Sequence, residues 1–288
     1  MTGYLIVNRY FSTPKLLEQY DMLIKAFSKR GVQLIIRRND EFCLDVTGES
    51  MADKPDFALM WDKDIMLAKS LEMQGVRLFD SASCIEICDD KASMHLALSA
   101  HGVQCPKTII APMTYPNIGY DNMDFVAKAG EKLGFPMVIK LSRSSYGMGV
   151  FLAKDLFEAQ NIMSSVHETA ILQQYLSESF GKDVRVFVVG GKAICAVQRS
   201  NEHDFRSNVE QGGRMERINL TQEMATLAEA AAKAVGADYV GVDLIYGQGG
   251  LVVCELNTSA HFGTLYRVGA IDMAEYIADH VVEQVYAL

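Results

Sequence analysis

Residues 240–257 read VGVDLIYGQGGLVVCELN, two runs of strand-forming residues joined by Gly247, Gln248, Gly249 and Gly250. This joint predicts an antiparallel hairpin centred near Gly249. Successive side chains of a strand point to opposite faces, so Glu255 and Asn257 share a face and Leu256 points away from them. In the predicted register Asp243 lies directly across from Glu255, and directly opposed residues share a face. Two carboxylates and an amide therefore project together. Neighbouring carboxylates repel unless a cation separates them, and oxygen-only ligands suit Mg²⁺, which keeps waters and shares its other positions with phosphate oxygens. Read alone, the pattern fits the solvated face of an edge hairpin equally well.

Working outward, the chain starts with alternating β and α patterns. YLIV (4–7) reads as a strand, KLLEQYDMLIKAFSKRG (15–31) as an amphipathic helix closed by Gly31, and VQLIIRR (32–38) as a second strand. FALMW (57–61), a helix over residues 66–75 and VRLFD (76–80) follow, and that order predicts a parallel, doubly wound sheet. No GxGxxG follows the first strand, where Asn8, Arg9 and Tyr10 stand instead, so a dinucleotide fingerprint is absent. Residues 1–90 read as a substrate or scaffold domain, with a boundary near Asp90. Beyond it come a helix ending near Gly102, a loop over 111–122, a helix ending at Gly134, and the strands PMVIKL, VFLA and ILQQYL with a helix between the last two. A hairpin turning at Gly190-Gly191, a polar loop over 201–214, a long Ala-rich helix, the opening hairpin and a final helix complete the reading.

The bulk composition narrows the function. With 288 residues, 49% hydrophobic and 22% charged, the chain can build substantial cores. A net charge of −9 gives no overall attraction to a polyanion, so neither nucleic acid nor an anionic membrane is an expected partner, although clustered arginines could hold a nucleotide's phosphates. The six cysteines never form a CxxC pair, which argues for reduced thiols rather than a zinc site or disulfides. Asn8 and Arg9 interrupt the first apolar run, and no later run is long enough to span a bilayer, so a cytoplasmic protein is expected.

Two further stretches carry chemistry. In VIKLSRSSYGMGV (138–150) a strand bearing Lys140 enters a loop with Gly147 and Gly149; glycines let backbone N–H groups close over phosphates and a lysine adds a point charge. It is no Walker loop, and by itself it also fits an ordinary hairpin turn. From Arg199 through DFRSN to Gly213, Arg199 and Arg206 offer planar, permanently charged donors suited to phosphoryl oxygens, or else form a basic surface loop.

The succession of Lys91, Lys140, the Asp-x-Arg strand at Asp183 and Arg185, the arginine loop and the D…E-x-N hairpin resembles the ATP-grasp superfamily. DFRSNVEQGG (204–213) is similar, more narrowly, to the loop of the RimK-type, alpha-L-glutamate ligase-like enzymes. The resemblance holds from about Asp90 to the C-terminus and is loose before it. It implies an α/β fold, α+β in part, of three domains: residues 1–90 with a parallel sheet, a central ATP-grasp subdomain over 91–176, and a C-terminal subdomain over 177–288 carrying the metal site, with nucleotide between the last two. By resemblance, Lys91 and Lys140 hold ATP phosphates, Ser145 to Gly149 with Gly147 cover them, and Gln174, Tyr175 and Leu176 recognise adenine. Asp183 lies at the ribose, Arg206, Ser207 and Asn208 reach the phosphates, and Asp243, Glu255 and Asn257 bind Mg²⁺, with Mn²⁺ able to replace it.

The implied reaction passes a phosphoryl group from ATP to a substrate carboxylate, and an amine then attacks the acyl phosphate to form an amide, with Arg199 stabilising the tetrahedral stage. The expected partners are an amino acid such as glutamate and a carboxylate-bearing small molecule, peptide or protein; a homo-oligomer is compatible. A non-catalytic ATP-binding module of this fold, or a kinase-like or carboxylating enzyme, stays open as an alternative. Three features depart from the family pattern: Gln198 stands where glutamate is usual, NTSAHFG replaces N-x-S-P-G so that His261 and Phe262 take the place of a Pro-Gly turn, and WDKD (61–64) matches no family signature.

Overall fold

The computed structural model describes residues 1–43, 45–47, 51, 53–145, 147–207, 213–269 and 271–287. Its N-terminal layer runs β1 (Thr2–Val7), α1 (Pro14–Ser28), β2 (Gln33–Arg38), β3 (Phe57–Met60), α2 (Ile65–Met73) and β4 (Leu78–Phe79). The strands pair in parallel in the order β2-β1-β3-β4, as the alternating pattern predicts. Thr13 caps α1, its hydroxyl accepting from Leu16 N at 3.3 Å, with Pro14 pre-setting the first turn. One face of α1 buries Leu16, Tyr20, Leu23 and Phe27.

Helix α3 (Ala82–Asp89) was not legible as an amphipathic pattern, and the packing shows why. Ala82 and Ile85 join the core of the parallel sheet while Cys84 and Cys88 join the C-terminal core, so the helix is apolar on two sides. After it come α4 (Lys91–Ala100), β5 (Thr108–Ile110), α5 (Asp124–Leu133), β6 (Met137–Leu141), β7 (Val150–Ala153), α6 (Leu156–Ser164) and β8 (Ala170–Gln174). These strands form an antiparallel sheet ordered β5-β8-β6-β7, with α5 and α6 packed on it.

The C-terminal sheet comprises β9 (Lys182–Val189), β10 (Lys192–Ser200), β11 (Arg214–Ile218), β12 (Tyr239–Gly247) and β13 (Gly250–Asn257), in the order β11-β10-β9-β12-β13 and antiparallel throughout. Between and after these strands lie α7 (Gln222–Val235), α8 (Gly263–Gly269) and α9 (Met273–Tyr286). Sequence reasoning passed over β11, an edge strand whose RMERI lacks an apolar face, and over the short α8. Strand parity divides this sheet. Val184, Val186, Val188, Val240, Val242 and Leu244 bury against α7, α3 and α4. Phe187, Val189, Val197 and Tyr239 face the N-terminal layer and α9 on the other side. That second face also carries Asp183, Arg185, Arg199 and Asp243, because they share parity with those residues.

An aromatic cluster joins the two layers. Trp61, at the end of β3, stacks on Tyr239 with ring centroids 5.5 Å apart and 12° between planes, and Phe262 meets Trp61 edge-on at 5.9 Å. Tyr239 Oη donates to the Ala260 carbonyl at 2.5 Å. Nearby, the buried Asp80 carboxylate accepts from the backbone N–H groups of Asp238 (2.5 Å) and Tyr239 (3.0 Å), while His280 Nε2 lies 2.8 Å from Asp238 Oδ1.

Burial, followed by the charge of Asp238, raises the Asp80 carboxyl to about 7, the two backbone donors opposing. Folded Asp80 therefore holds its proton more tightly than unfolded Asp80, so its contribution to stability is complete below about pH 4 and is lost as pH rises toward 7. Asp80→Asn keeps an acceptor for both N–H groups without the charge. Urea unfolding is expected to show this variant gaining on the parent between pH 5 and pH 8, by on the order of 3 kcal/mol; a gap that narrows with rising pH would contradict the assignment.

Candidate active site

The opening hairpin forms, and Asp243 pairs with Glu255 as predicted, but by a different route. Gly247 pairs with Gly250, so the turn has only Gln248 and Gly249 at its tip. Continued without interruption, that register would set Asp243 opposite Cys254. A β-bulge between Asp243 and Leu244 on one strand leaves Cys254 as the extra residue on the other, and pairing resumes with Asp243–Glu255 and Gly241–Asn257. Val253 and Leu256, three apart, consequently both enter the core. Cys254, Glu255 and Asn257 all line one cavity.

A buried charge network crosses this face. Arg185 donates to both Asp243 oxygens, Nε to Oδ1 at 2.6 Å and Nη2 to Oδ2 at 2.7 Å. Arg199 Nη2 lies 2.8 Å from Asp243 Oδ2, and the same guanidinium clasps Asp183, with Nε to Oδ1 at 2.7 Å and Nη2 to Oδ2. Ser207 Oγ donates to Asp183 Oδ2 at 2.5 Å, and Asn257 Nδ2 to Asp243 Oδ2 at 3.3 Å. Burial would raise the Asp243 carboxyl, but the charges of Arg185 and Arg199 outweigh it and hold that carboxyl down. Asp183 shares only one guanidinium, and burial pushes it up.

The cavity over this network has a volume of about 150 Å³. The structure brings together in its lining Lys91, Lys140, Ser145, Gly147, Gln174, Tyr175, Leu176, Asp183, Arg199, Arg206, Ser207, Asp243, Glu255 and Asn257. Asn208 lies outside the described residues. Gly149 does not line the cavity; its φ is +66°, and a Cβ there would meet Leu141 Cδ1 at 2.8 Å, so its contribution is to the bend of the loop. Residues outside that predicted set also line it, among them Lys182, Arg185 and Cys254. Arg185 was visible in the Asp-x-Arg spacing; Cys254 was not, because no sequence pattern announced the bulge.

Among the described residues six cations face three carboxylates in this lining, within a chain whose net charge is −9. Lys91 is 4% exposed; its Nζ donates to the Ser144 carbonyl at 2.6 Å and lies 3.5 Å from Glu255 Oε1. Lys140 is 7% exposed and its Nζ donates to Cys254 Sγ at 3.4 Å, with no carboxylate partner among the described residues. Behind them, burial and then Lys140 and Lys91 lower His95 to about 3, so the ring is neutral and accepts at Nε2 from Gln173 Nε2 (3.0 Å). The glycine loop is tied down at both ends. Ser142 O accepts from Lys91 N at 3.0 Å and its hydroxyl donates to the α4 cap Asp90 at 2.8 Å, while Gly147 O accepts from Arg206 Nη1 at 2.9 Å. Arg206 also pairs with Asp204 in its own loop, Nη2 to Oδ2 at 2.7 Å.

A second cavity of about 370 Å³ adjoins the first and shares Ser145, Arg185, Arg199 and Asn257 with it. Its other walls come from the N-terminal layer, including Trp61, Asp62 and Lys63 of the WDKD stretch, and from the segment 258–267 with His261. Gln198 faces away from it, since it alternates with Arg199 on β10, and it lines neither cavity, so its lack of charge leaves both linings unchanged. Among the described residues no three His, Cys, Asp or Glu side chains gather as a metal cluster. The hairpin set is two carboxylates and one amide. No helix of the described residues is long and apolar enough to cross a membrane.

A family model described as the RimK-like ATP-grasp domain matches residues 88–281. The chain is 31% identical over 254 residues to beta-citrylglutamate synthase B of Danio rerio, which covers 87% of this chain and 61% of that protein. Identity to N-acetylaspartylglutamate synthase A of Homo sapiens is 33% over 232 residues, 79% of this chain and 58% of that one. The chain thus spans about three fifths of the length of these two relatives. A solved RimK domain ATP-grasp protein from Sphaerobacter thermophilus shares the fold, with a TM-score of 0.75 over 97% of this chain and 99% of that chain at 20% identity.

Removing Arg199 would strand Asp183 and half-strand Asp243 in the interior. Arg199→Met is therefore expected to lose about 3–5 kcal/mol of stability in urea unfolding. Lost activity in that variant is to be read only at temperatures where the protein remains folded.

Proposed function

This chain belongs to the RimK-like ATP-grasp family, and on that premise we propose that it is an ATP- and Mg²⁺-dependent carboxylate–amine ligase that adds an amino acid such as glutamate to a small acid, a peptide or a protein. The observation that carries this reading is Lys140, a buried ammonium whose partner is a thiol rather than a carboxylate, in a cavity where cations outnumber anions two to one. An isolated buried charge is costly, and a triphosphate supplies the missing anion. The named products of the two synthases, a citrylglutamate and an acetylaspartylglutamate, each contain glutamate joined to an acid.

In this reading Lys91, Lys140, Arg206 and Ser207, with Asn208, hold the phosphates, and the loop bearing Ser145, Gly147 and Gly149 covers them. Gln174, Tyr175 and Leu176 flank the base and Asp183 the ribose side. The chain divides at about residues 90 and 176, with nucleotide held between the second and third units. Glu255 Oε2, the Asn257 carbonyl and the remaining lone pair of Asp243 Oδ1 are hard oxygen donors on one face, a set that fits Mg²⁺. When bound, the metal neutralises charge on the transferring phosphoryl group.

A carboxylate oxygen of the acid attacks the γ-phosphorus of ATP, the bond to the β,γ-bridging oxygen breaks, and ADP leaves with that electron pair. The amine nitrogen then attacks the acyl carbon, the C–O bond to phosphate breaks, and phosphate departs as the nitrogen gives up its proton. Arg199, which lines both cavities, faces the oxyanion of the tetrahedral stage. Positioning and charge compensation, rather than a protein nucleophile, do the work.

Mg-ATP with citrate or N-acetylaspartate as acid and L-glutamate as amine, extended to other amino acids and short peptides, is expected to release ADP and phosphate only when both acid and amine are present. ADP release indifferent to either would overturn the reading. Glu255→Gln is expected to lower kcat by at least about a hundredfold, and Lys140→Met to raise the KM for ATP; an unchanged kcat in the first would remove the metal assignment, and an unchanged KM for ATP in the second the phosphate assignment.

A further inference from the structure

The second cavity bears on how the incoming amine is held. Among the described residues, seven charged side chains line it. Arg267 pairs with Glu18, Lys63 with Asp89, and Arg185 and Arg199 with the buried aspartates. The remaining two, Lys15 and Asp62, have no partner of opposite charge among the described residues. One cation and one carboxylate, each unpaired and on the wall of one cavity, are complementary to a zwitterion.

The surroundings of each group support that match. Asp62 is half-buried, and its Oδ1 accepts a single side-chain hydrogen bond, from Asn8 Nδ2 at 3.3 Å. Burial raises its carboxyl, with Asp64 adding to the effect and Asn8 and Lys63 opposing it; an ammonium alongside would reverse that cost. Lys15 is the second residue of α1, whose first turn contains no acidic residue, so the helix N-terminus adds its partial positive charge to that of the ammonium. The chain neighbours of the two groups lie differently. Asp62 adjoins Lys63, whose Nζ donates to Ser145 Oγ at 3.3 Å, and Ser145 belongs to both cavities. Lys15 instead sits beside Phe11 and Leu16 at the start of α1.

We propose that Asp62 and Lys15 are the specificity-determining residues of the amine site, Asp62 receiving the α-ammonium of a free amino acid and Lys15 its α-carboxylate. The inference rests on the ligase reading and goes beyond it. The amine enters as a single unblocked amino acid, its nitrogen toward the wall shared with the nucleotide cavity. WDKD, which matched no signature, thereby acquires a role through its second residue.

Calorimetric titration of L-glutamate, and of L-glutamate with its α-carboxyl amidated, into the Mg-ADP-bound protein tests this. The parent is expected to bind L-glutamate at least about tenfold more tightly than the amide. Lys15→Met abolishes that preference, and Asp62→Asn weakens both ligands by at least about tenfold. Mg-ADP affinity, which neither residue touches, stays constant and reports on folding. Equal binding of the two ligands by the parent, or parental L-glutamate affinity in both variants, overturns the proposal. The ligase reading fails on a different result, the absence of amide product from the parent enzyme.

Discussion

The guanidinium of Arg199, held between Asp183 and Asp243, is the constraint around which the site is built. It joins three strands, since Asp183 lies on β9, Arg199 on β10 and Asp243 on β12, and Arg185 closes the set from β9. Four charges buried so deeply are tolerable only when each satisfies the others, which fixes the strands' register at the point where both cavities meet. Asp243 Oδ1 thereby keeps one lone pair that none of these partners uses, and Arg199 is presented to both cavities by its neighbours rather than by a loop. The lysine side of the first cavity stands in contrast: Lys140 is buried without such compensation, which leaves that wall complementary to an anion.

Much of this was legible in the sequence because period-two alternation is a strong signal. It put Asp183 with Arg185 on β9, and Asp243, Glu255 and Asn257 on one face, and the strand–helix–strand order gave the parallel sheet directly. Elements without a one-sided apolar pattern were missed. Helix α3 is buried on two sides, β11 is a charged edge strand, and α8 spans only seven residues. The register of the hairpin came out right although its turn did not: a tighter turn shifted the pairing by one residue and the bulge at Cys254 shifted it back. Composition alone cannot show two such compensating offsets.

Two stretches that fitted no family pattern turn out to be in contact. Trp61 opens the WDKD stretch and Phe262 replaces the Pro-Gly turn after the hairpin; their rings meet edge to face, both against Tyr239. Phe262 is fully buried, so the departure after Asn257 has a packing cause and binds the N-terminal layer to the strand that carries Asp243. The same joint holds Asp62 and Lys63 against the second cavity. Neither oddity is interpretable alone. Each requires a partner about 200 positions away, which a single sequence does not reveal.

The bulge at Cys254 also sets a rule about length. Because it is the device that keeps Glu255 and Asn257 in phase with Asp243, gaining a single residue between Gly250 and Glu255 would exchange the core face of β13 for the cavity face, whereas losing Cys254 itself would restore regular alternation with Asp243 still opposite Glu255. A change of two residues would preserve the phase. Descendants of this hairpin are thus free to change in even steps or to shed the bulge residue, and any other odd step is open to them only with a second bulge or with the loss of the oxygen cluster.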